Sequence, residues 1–231
     1  MRSKAQRAYG WLELIEGGAE VAAATLAAPF VRRAYNRWGA TSAEVAAAMP
    51  GDELVRTRRS RRPAVSHRPP PDDVWAWPVQ IGQGRGGLYS FDALENLLRC
   101  DIHSADRIIP ELQKVHEGDL ILLAPGEAPC YRVAMVEPPH VLVLAGADPK
   151  TRAVQPVPAG PDELATTWQW TLRPVRGGRG TRLVARQRYS YPGRQAVLWH
   201  VVEPVDFVME RRMLGGIRAR AEARPLAALN A

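Results

Sequence analysis

Thr167-Trp168-Gln169-Trp170-Thr171-Leu172-Arg173 alternates polar and apolar side chains one by one. After a turn at Gly177-Gly178, the run Thr181-Arg182-Leu183-Val184-Ala185-Arg186-Gln187-Arg188-Tyr189-Ser190-Tyr191 repeats the pattern. Successive side chains of a strand point to opposite faces, so period-two alternation around a glycine turn reads as a β-hairpin. Trp168, Trp170 and Leu172 then share their strand's core face, and Leu183, Ala185, Gln187 and Tyr189 share the core face of the next. Arg182, Val184, Arg186 and Arg188 fall on the opposite side.

Working outward, apolar runs at 118–123, 130–136 and 141–144 are punctuated by Pro125-Gly126 and Pro138-Pro139, the signature of antiparallel strands and tight turns. The Pro- and Gly-rich segment 147–161 reads as a long loop. Ala64-Val65-Ser66-His67 reads as a first strand, stopped by Pro69-Pro70-Pro71, where missing N–H groups end a ladder and prepare a helix start. Asp72 and Asp73 suit the positive end of a helix through Val74, Trp75, Trp77 and Ile81, kinked by Pro78. Ser90 as N-cap predicts a second short helix over 91–98. Near the C-terminus, Val201, Val205, Val208, Met209, Met213 and Ile217 lie along one stripe, with Glu210, Arg211 and Arg218 outside it. That periodicity predicts a helix over 204–223, with a start as early as Ala196. The expected class is α+β: a curved antiparallel sheet wrapped around a long C-terminal helix, with two short helices after the first strand.

The composition is that of a globular protein. The chain has 231 residues, 46% of them apolar and 24% charged. Its net charge of +7 is unevenly placed, because residues 1–68 carry 12 Lys or Arg against 6 Asp or Glu and the remainder is close to neutral. A nearly neutral core argues against a dedicated nucleic-acid surface. Cys100 and Cys130 have no metal-ligand spacing and read as thiols in a reducing compartment, so a cytoplasmic location is expected.

At the N-terminus, Trp11, Ile15, Ala19, Ala22, Leu26 and Phe30 recur at helical spacing, with Glu13, Glu16 and Glu20 on the other face. This reads as an amphipathic helix softened at Gly17-Gly18 and ended near Pro29. Its apolar stripe is expected to dock on the protein's own core or on a second copy. The alternative is an interfacial membrane anchor with Arg32, Arg33 and Arg37 near lipid phosphates. The apolar run 21–31 is far shorter than the ~20 residues plus flanks of a membrane span. Residues 40–60 read as a surface linker that runs into the cluster Arg56, Arg58, Arg59, Arg61 and Arg62, a run that is most simply a solvated stretch. The expected division is therefore an arm at 1–39, a linker at 40–60, a main domain at 61–223 and a flexible tail at 224–231.

The element order resembles the START-like, or SRPBCC, superfamily, including its polyketide cyclase/dehydrase and lipid-transport members. Pro70-Pro71-Asp72-Asp73-Val74-Trp75 is similar to its strand-to-helix passage, residues 133–139 to its strand ending in a proline turn, and Gly180-Thr181-Arg182-Leu183 to the start of its penultimate strand. Trp38-Gly39-Ala40-Thr41, Pro50-Gly51-Asp52, Gly82-Gln83-Gly84-Arg85 and Phe207-Val208-Met209-Glu210-Arg211-Arg212-Met213 resemble phrases of a bacterial subgroup of unassigned activity. The resemblance implies a helix-grip fold with a ligand cavity between sheet and helix, and no single reaction. The chain departs from the pattern at the cationic first strand (Arg61, Arg62, His67 and Arg68) and at Pro78.

Among candidate sites, Gly82, Gly84 and Gly87 spell GxGxxG, but the motif lacks the βαβ frame that aims a helix at a pyrophosphate, so nucleotide binding is not expected. Asp101, His103 and Asp106, with Glu111 and His116, match no strong metal signature, and neither metal nor cofactor is expected. No nucleophile elbow is present, and neither cysteine has an evident histidine partner. The residues expected to line a ligand cavity are Trp75, Trp77, Arg85, Tyr89, Trp168, Trp170, Gln187, Tyr189, Phe207 and Met213. Arg85, Tyr89 and Gln187 are the expected polar contacts, and Tyr89, His103 or Arg85 the groups for acid–base assistance in an enzyme. The functions in view are binding or carriage of a hydrophobic small molecule, lipid or polyketide-like; a cyclase or aromatase-like activity; and a peripheral membrane or self-association role for the arm.

Overall fold

The computed structural model describes residues 4–55, 60–61, 63–155, 164–175 and 177–223. The arginines at 56, 58, 59 and 62, positions 156–163 of the long loop and the tail at 224–231 lie outside these residues. Seven strands form one antiparallel sheet: β1 (Ser60–Arg61), β2 (Ala64–His67), β3 (Leu120–Leu122), β4 (Cys130–Glu137), β5 (Val141–Ala147), β6 (Ala165–Val175) and β7 (Gly180–Ser190). Their order is β1-β7-β6-β5-β4-β3, with β2 also pairing along β7. The helices are α1 (Lys4–Tyr35), α2 (Ser42–Ala46), α3 (Pro71–Trp75), α4 (Asp92–Leu97) and α5 (Ala196–Ala223).

The β6–β7 hairpin is in the register that its alternation demands. Leu172 stands opposite Leu183, Trp170 opposite Ala185, Trp168 opposite Gln187 and Thr166 opposite Tyr189. This row forms the inner face, and α5 lies across it, with Met213, Leu214, Ile217 and Ala221 buried in the same apolar cluster as Leu172, Leu183 and Trp170. The architecture is a helix-grip fold.

Pro204 lies inside α5 rather than in its first turn. An interior proline costs about 3 kcal/mol of helix stability, and tertiary contacts of the preceding turn offset it. Trp199 stacks on Tyr191 with ring centroids 5.0 Å apart and meets Tyr189 at 5.1 Å. Pro78 has the opposite outcome: α3 stops at Trp75, and the chain continues as a short 3-10 turn, Pro78–Gln80. Ser90 is not an N-cap. Phe91 occupies that position without a side-chain cap, and the Ser90 hydroxyl donates to Glu95 instead.

The outer face of the sheet is covered by residues 41–55. Thr41 and Glu44 form a capping box at α2, and the Glu44 carboxylate also receives Arg182 at 2.7 and 2.8 Å. The fully buried Arg186 pairs with Asp52 and donates to the Ala47 carbonyl at 2.7 Å, while Arg188 donates to the Val55 carbonyl at 2.8 Å. A buried guanidinium without partners would cost several kcal/mol, so the arginines of β7 and the acidic strap require one another.

α1 overturns the expected end near Pro29 and the expected docking of its stripe on the protein's own core. It runs unbroken past position 29 to Tyr35, and its apolar stripe faces solvent: Trp11 is 67% exposed and Phe30 89%. The acidic face docks instead. Glu13 accepts the Ala93 N–H, Glu16 and Glu20 pair with Arg212 and Arg211 of α5, and Arg32 and Asn36 both reach Glu203. Gly17 is the point of closest approach, since a Cβ there would sit 3.1 Å from the Phe91 ring. The outward face of α5 is charged, so charge pairing with it decides which face of α1 turns inward.

A candidate ligand cavity between the sheet and the C-terminal helix

Along the C-terminal half of α5 the space against the sheet is solid. Along its N-terminal half, a cavity of about 500 Å³ opens between Val202, Met209 and Met213 of α5 and the inner face of the sheet. The sheet wall consists of Tyr131, Ala147, Thr166, Trp168, Gln187 and Tyr189, and a third wall is formed by Leu88, Ser90, Glu95 and Cys100 around α4. The local sequence accounts for the change. Inward residues of β7 switch from Leu183 and Ala185 to Gln187 and Tyr189, and α5 offers slender Val202 and Met209 where Leu214 and Ile217 fill the other end. Trp168 and Met213 stand on the boundary, belonging both to the apolar cluster and to the cavity wall.

Of the ten residues expected at a cavity, the structure brings together four: Trp168, Gln187, Tyr189 and Met213. Trp75, Trp77, Tyr89 and Trp170 are packed into the apolar core. Their bulk and apolarity made them candidates, but core filling asks for the same side chains. Phe207 stacks on Tyr35 of α1 at 5.0 Å. Arg85 is tied down by donation to the carbonyls of Val79 at 2.9 Å and Ile81 at 3.1 Å.

The groups expected for acid–base work are likewise elsewhere. The Tyr89 hydroxyl accepts from Gln80 at 2.9 Å and donates to the Trp77 carbonyl at 3.3 Å, and burial pushes it up to about 12. Tyr89 borders a separate charged cleft of about 540 Å³ between α1 and α5, with Glu13, Glu20, Arg211 and Arg220. His103 is exposed beside Asp101 at 3.1 Å, and Asp106 pairs with Arg220 at 3.2 Å. Among the described residues no group of three or more His, Cys, Asp or Glu could hold a metal ion. The GxGxxG loop is a backbone device. Gly87 has φ +78°, and a Cβ there would fall 2.6 Å from the Ser104 Cα.

The polar groups of the cavity are ones that sequence reasoning passed over. Glu210, expected on the outside of α5, is 5% exposed, lines the cavity and accepts the Trp168 Nε1–H at 3.3 Å. The Tyr189 hydroxyl donates to Gln187 Oε1 at 3.0 Å, and the Gln155 side chain accepts the Thr166 N–H at 3.1 Å. Glu95 is 6% exposed, and its Oε1 accepts from Ser90. Burial first, then the negative charges of Asp92 and Glu13, push its carboxyl up to about 8 against the lowering effect of the Ser90 hydrogen bond. Burial also raises the Cys100 thiol, which lines the same wall. Glu95 gave no signal in the sequence because a glutamate in a short polar helix is most often solvated.

No family model matches the sequence, and no curated protein matches it. Among solved structures the chain is similar to CalU16 from Micromonospora echinospora, at 16% identity over 75% of this chain and 89% of that one, with TM-score 0.34. It is also similar to a Rhodobacter sphaeroides protein (17% identity, 73% and 95% covered, TM-score 0.42). A third is DynU16, a protein of the dynemicin biosynthetic locus (16% identity, 73% and 50% covered, TM-score 0.37).

Proposed function

We propose that the protein binds or carries a hydrophobic small molecule, lipid or polyketide-like, in the cavity between the sheet and α5. The observation that carries this reading is a space of about 500 Å³ with mostly apolar walls, within the range that small-molecule sites occupy. Burial of a guest there is driven by about 25 cal/mol per Å² of apolar surface removed from water. The START-like motifs of the sequence support the same reading. The cyclase-like alternative is weakened, because Tyr89, His103 and Arg85 are all outside the cavity.

Nile red fluorescence tests the reading, with Val202→Trp as the partner variant. The wild type should bind the dye and the filled cavity should not, while both keep the same circular dichroism. A guest should also slow alkylation of Cys100 and Cys130, which both line the space. Equal dye binding by the two proteins would remove the cavity from consideration.

A second reading rests on α1, whose exposed Trp11, Leu12, Ile15, Leu26 and Phe30 suit peripheral contact with an anionic bilayer, with Arg33 and Arg37 exposed at the end of that face. No helix among the described residues is long and apolar enough to cross a membrane. Flotation with anionic vesicles should carry the wild type and leave Leu26→Glu and Phe30→Glu behind. Concentration-dependent sedimentation of the wild type without flotation would point to self-association instead.

A further inference from the structure

Two residues of the cavity lining carry a buried polar atom that has no partner among the described residues. Glu95 Oε2 and Trp199 Nε1 are both buried and make no hydrogen bond, whereas Gln155, Trp168, Gln187 and Tyr189 are engaged with other protein groups. An unsatisfied buried polar group is costly, so two of them among the residues of one lining mark where a guest's polar atoms belong. The indole nitrogen can only donate. Oε1 of Glu95 already accepts the Ser90 hydroxyl, so a protonated Glu95 presents its O–H through Oε2.

The surroundings favour the protonated form. The groups that face Glu95 are Ser90 and Asp92 beside it, Glu13 from α1 and the thiol of Cys100. No cation is among them. The Arg212 guanidinium lies over the Phe91 ring at 4.8 Å and pairs with Glu16. The described lining includes Glu95, Asp206 and Glu210 but no Lys, Arg or His.

We infer that the guest is an uncharged apolar molecule bearing acceptor oxygens such as ketone carbonyls, received by Glu95 and Trp199, and that carboxylate-bearing lipids are excluded. The inference rests on the cavity reading above and assigns the chemical class of its ligand. An anionic head group would meet carboxyls and no counter-charge. A carbonyl oxygen at either donor would satisfy it without bringing a charge out of water. The pairing also orients the guest, with its oxygens toward α4 and the first turn of α5 and its hydrocarbon toward Trp168 and Met213.

Displacement of Nile red by a series of equal chain length tests this: dodecane, a methyl ketone, dodecanoate and dodecylamine, at neutral pH. The ketone should displace the dye at a concentration about tenfold below dodecane, as one to two recovered hydrogen bonds predict, and dodecanoate should be the weakest. Glu95→Leu combined with Trp199→Phe should abolish the ketone's advantage and leave dodecane unchanged. Glu95→Gln, which retains a donor, should keep part of that advantage. Equal displacement by ketone and alkane in the wild type would overturn the assignment while the cavity reading stands. Stronger displacement by dodecanoate or dodecylamine would overturn it as well. Failure of the dye and of every competitor to bind would defeat the cavity reading, and this inference with it.

Discussion

α5 rests on one sheet along its whole length, yet its two halves meet different surfaces. Over the C-terminal half, Leu214, Ile217 and Ala221 are fully buried against Trp77, Trp170, Leu172 and Leu183. Over the N-terminal half, Val202 and Met209 span a void of about 500 Å³. The difference teaches that stability and binding are divided along a single helix. Close-packed interiors tolerate few voids larger than a water molecule, so the solid half must carry the fold if the other half is to stay hollow.

Truncation at the two ends breaks or sharpens that comparison most directly. Trp170→Ala should cost about 3–5 kcal/mol in urea unfolding, in line with large-to-small changes in filled cores. Val202→Ala, half-buried beside an existing void, should cost less than about 1 kcal/mol. Similar losses at both sites would mean that the hollow end is as tightly supported as the solid one.

The two ends should also answer pH with opposite signs. At the hollow end, burial first and then the negative charges of Asp92 and Glu13 push the Glu95 carboxyl up to about 8 from the 4.5 of a solvated carboxyl. A raised folded-state value means that its contribution is full below about 4.5 and is lost as pH rises through about 8. Glu95→Gln should remove that alkaline decline, by a few kcal/mol at most. At the solid end, His67 is 2% exposed, and burial lowers it from 6.5 to about 4, with Glu222 raising and Arg218 lowering it further. Its contribution is present above about 6.5 and lost as pH falls through about 4, so His67→Phe should flatten the acid limb by about 2–3 kcal/mol. Midpoints of chemical denaturation across this pH range would check both, and a shared sign would defeat the contrast.

The smallest effects belong to α1. Leu26→Glu and Phe30→Glu, both on its exposed stripe, should change stability by no more than about 0.5 kcal/mol. Glu20→Ala, which removes the partner of Arg211 at 2.5 Å across a half-exposed contact, should cost roughly 0.2–1 kcal/mol. Thermal unfolding that ranks the exposed stripe above the ion pair would show that the apolar face is the docked one.

Local pattern was enough for much of the fold. The β6–β7 hairpin, the inward row of Trp168, Trp170, Leu172, Leu183 and Ala185, and the long terminal helix were legible because alternation and helical repeat depend on each residue's own neighbours. The site was legible only in part. Trp168, Gln187, Tyr189 and Met213 were readable as inward residues, but nothing local separates an inward tryptophan that fills a core, such as Trp170, from one that borders a void. Glu95, Glu210 and Trp199 were missed because a polar residue on a helix carries no mark of inward direction until a second element covers it.

What the sequence determined by itself is therefore the strands β2 to β7, the faces of the hairpin and the helix laid across them, since strand pleat and helix pitch convert spacing directly into direction. Tertiary structure alone decided which half of that sandwich is hollow, that Glu95 is enclosed within its wall, and that α1 turns its acids inward and its tryptophan outward. Those outcomes depend on volumes and charges that meet across distant segments, where the partner surface, not the residue's own periodicity, sets the lower free energy.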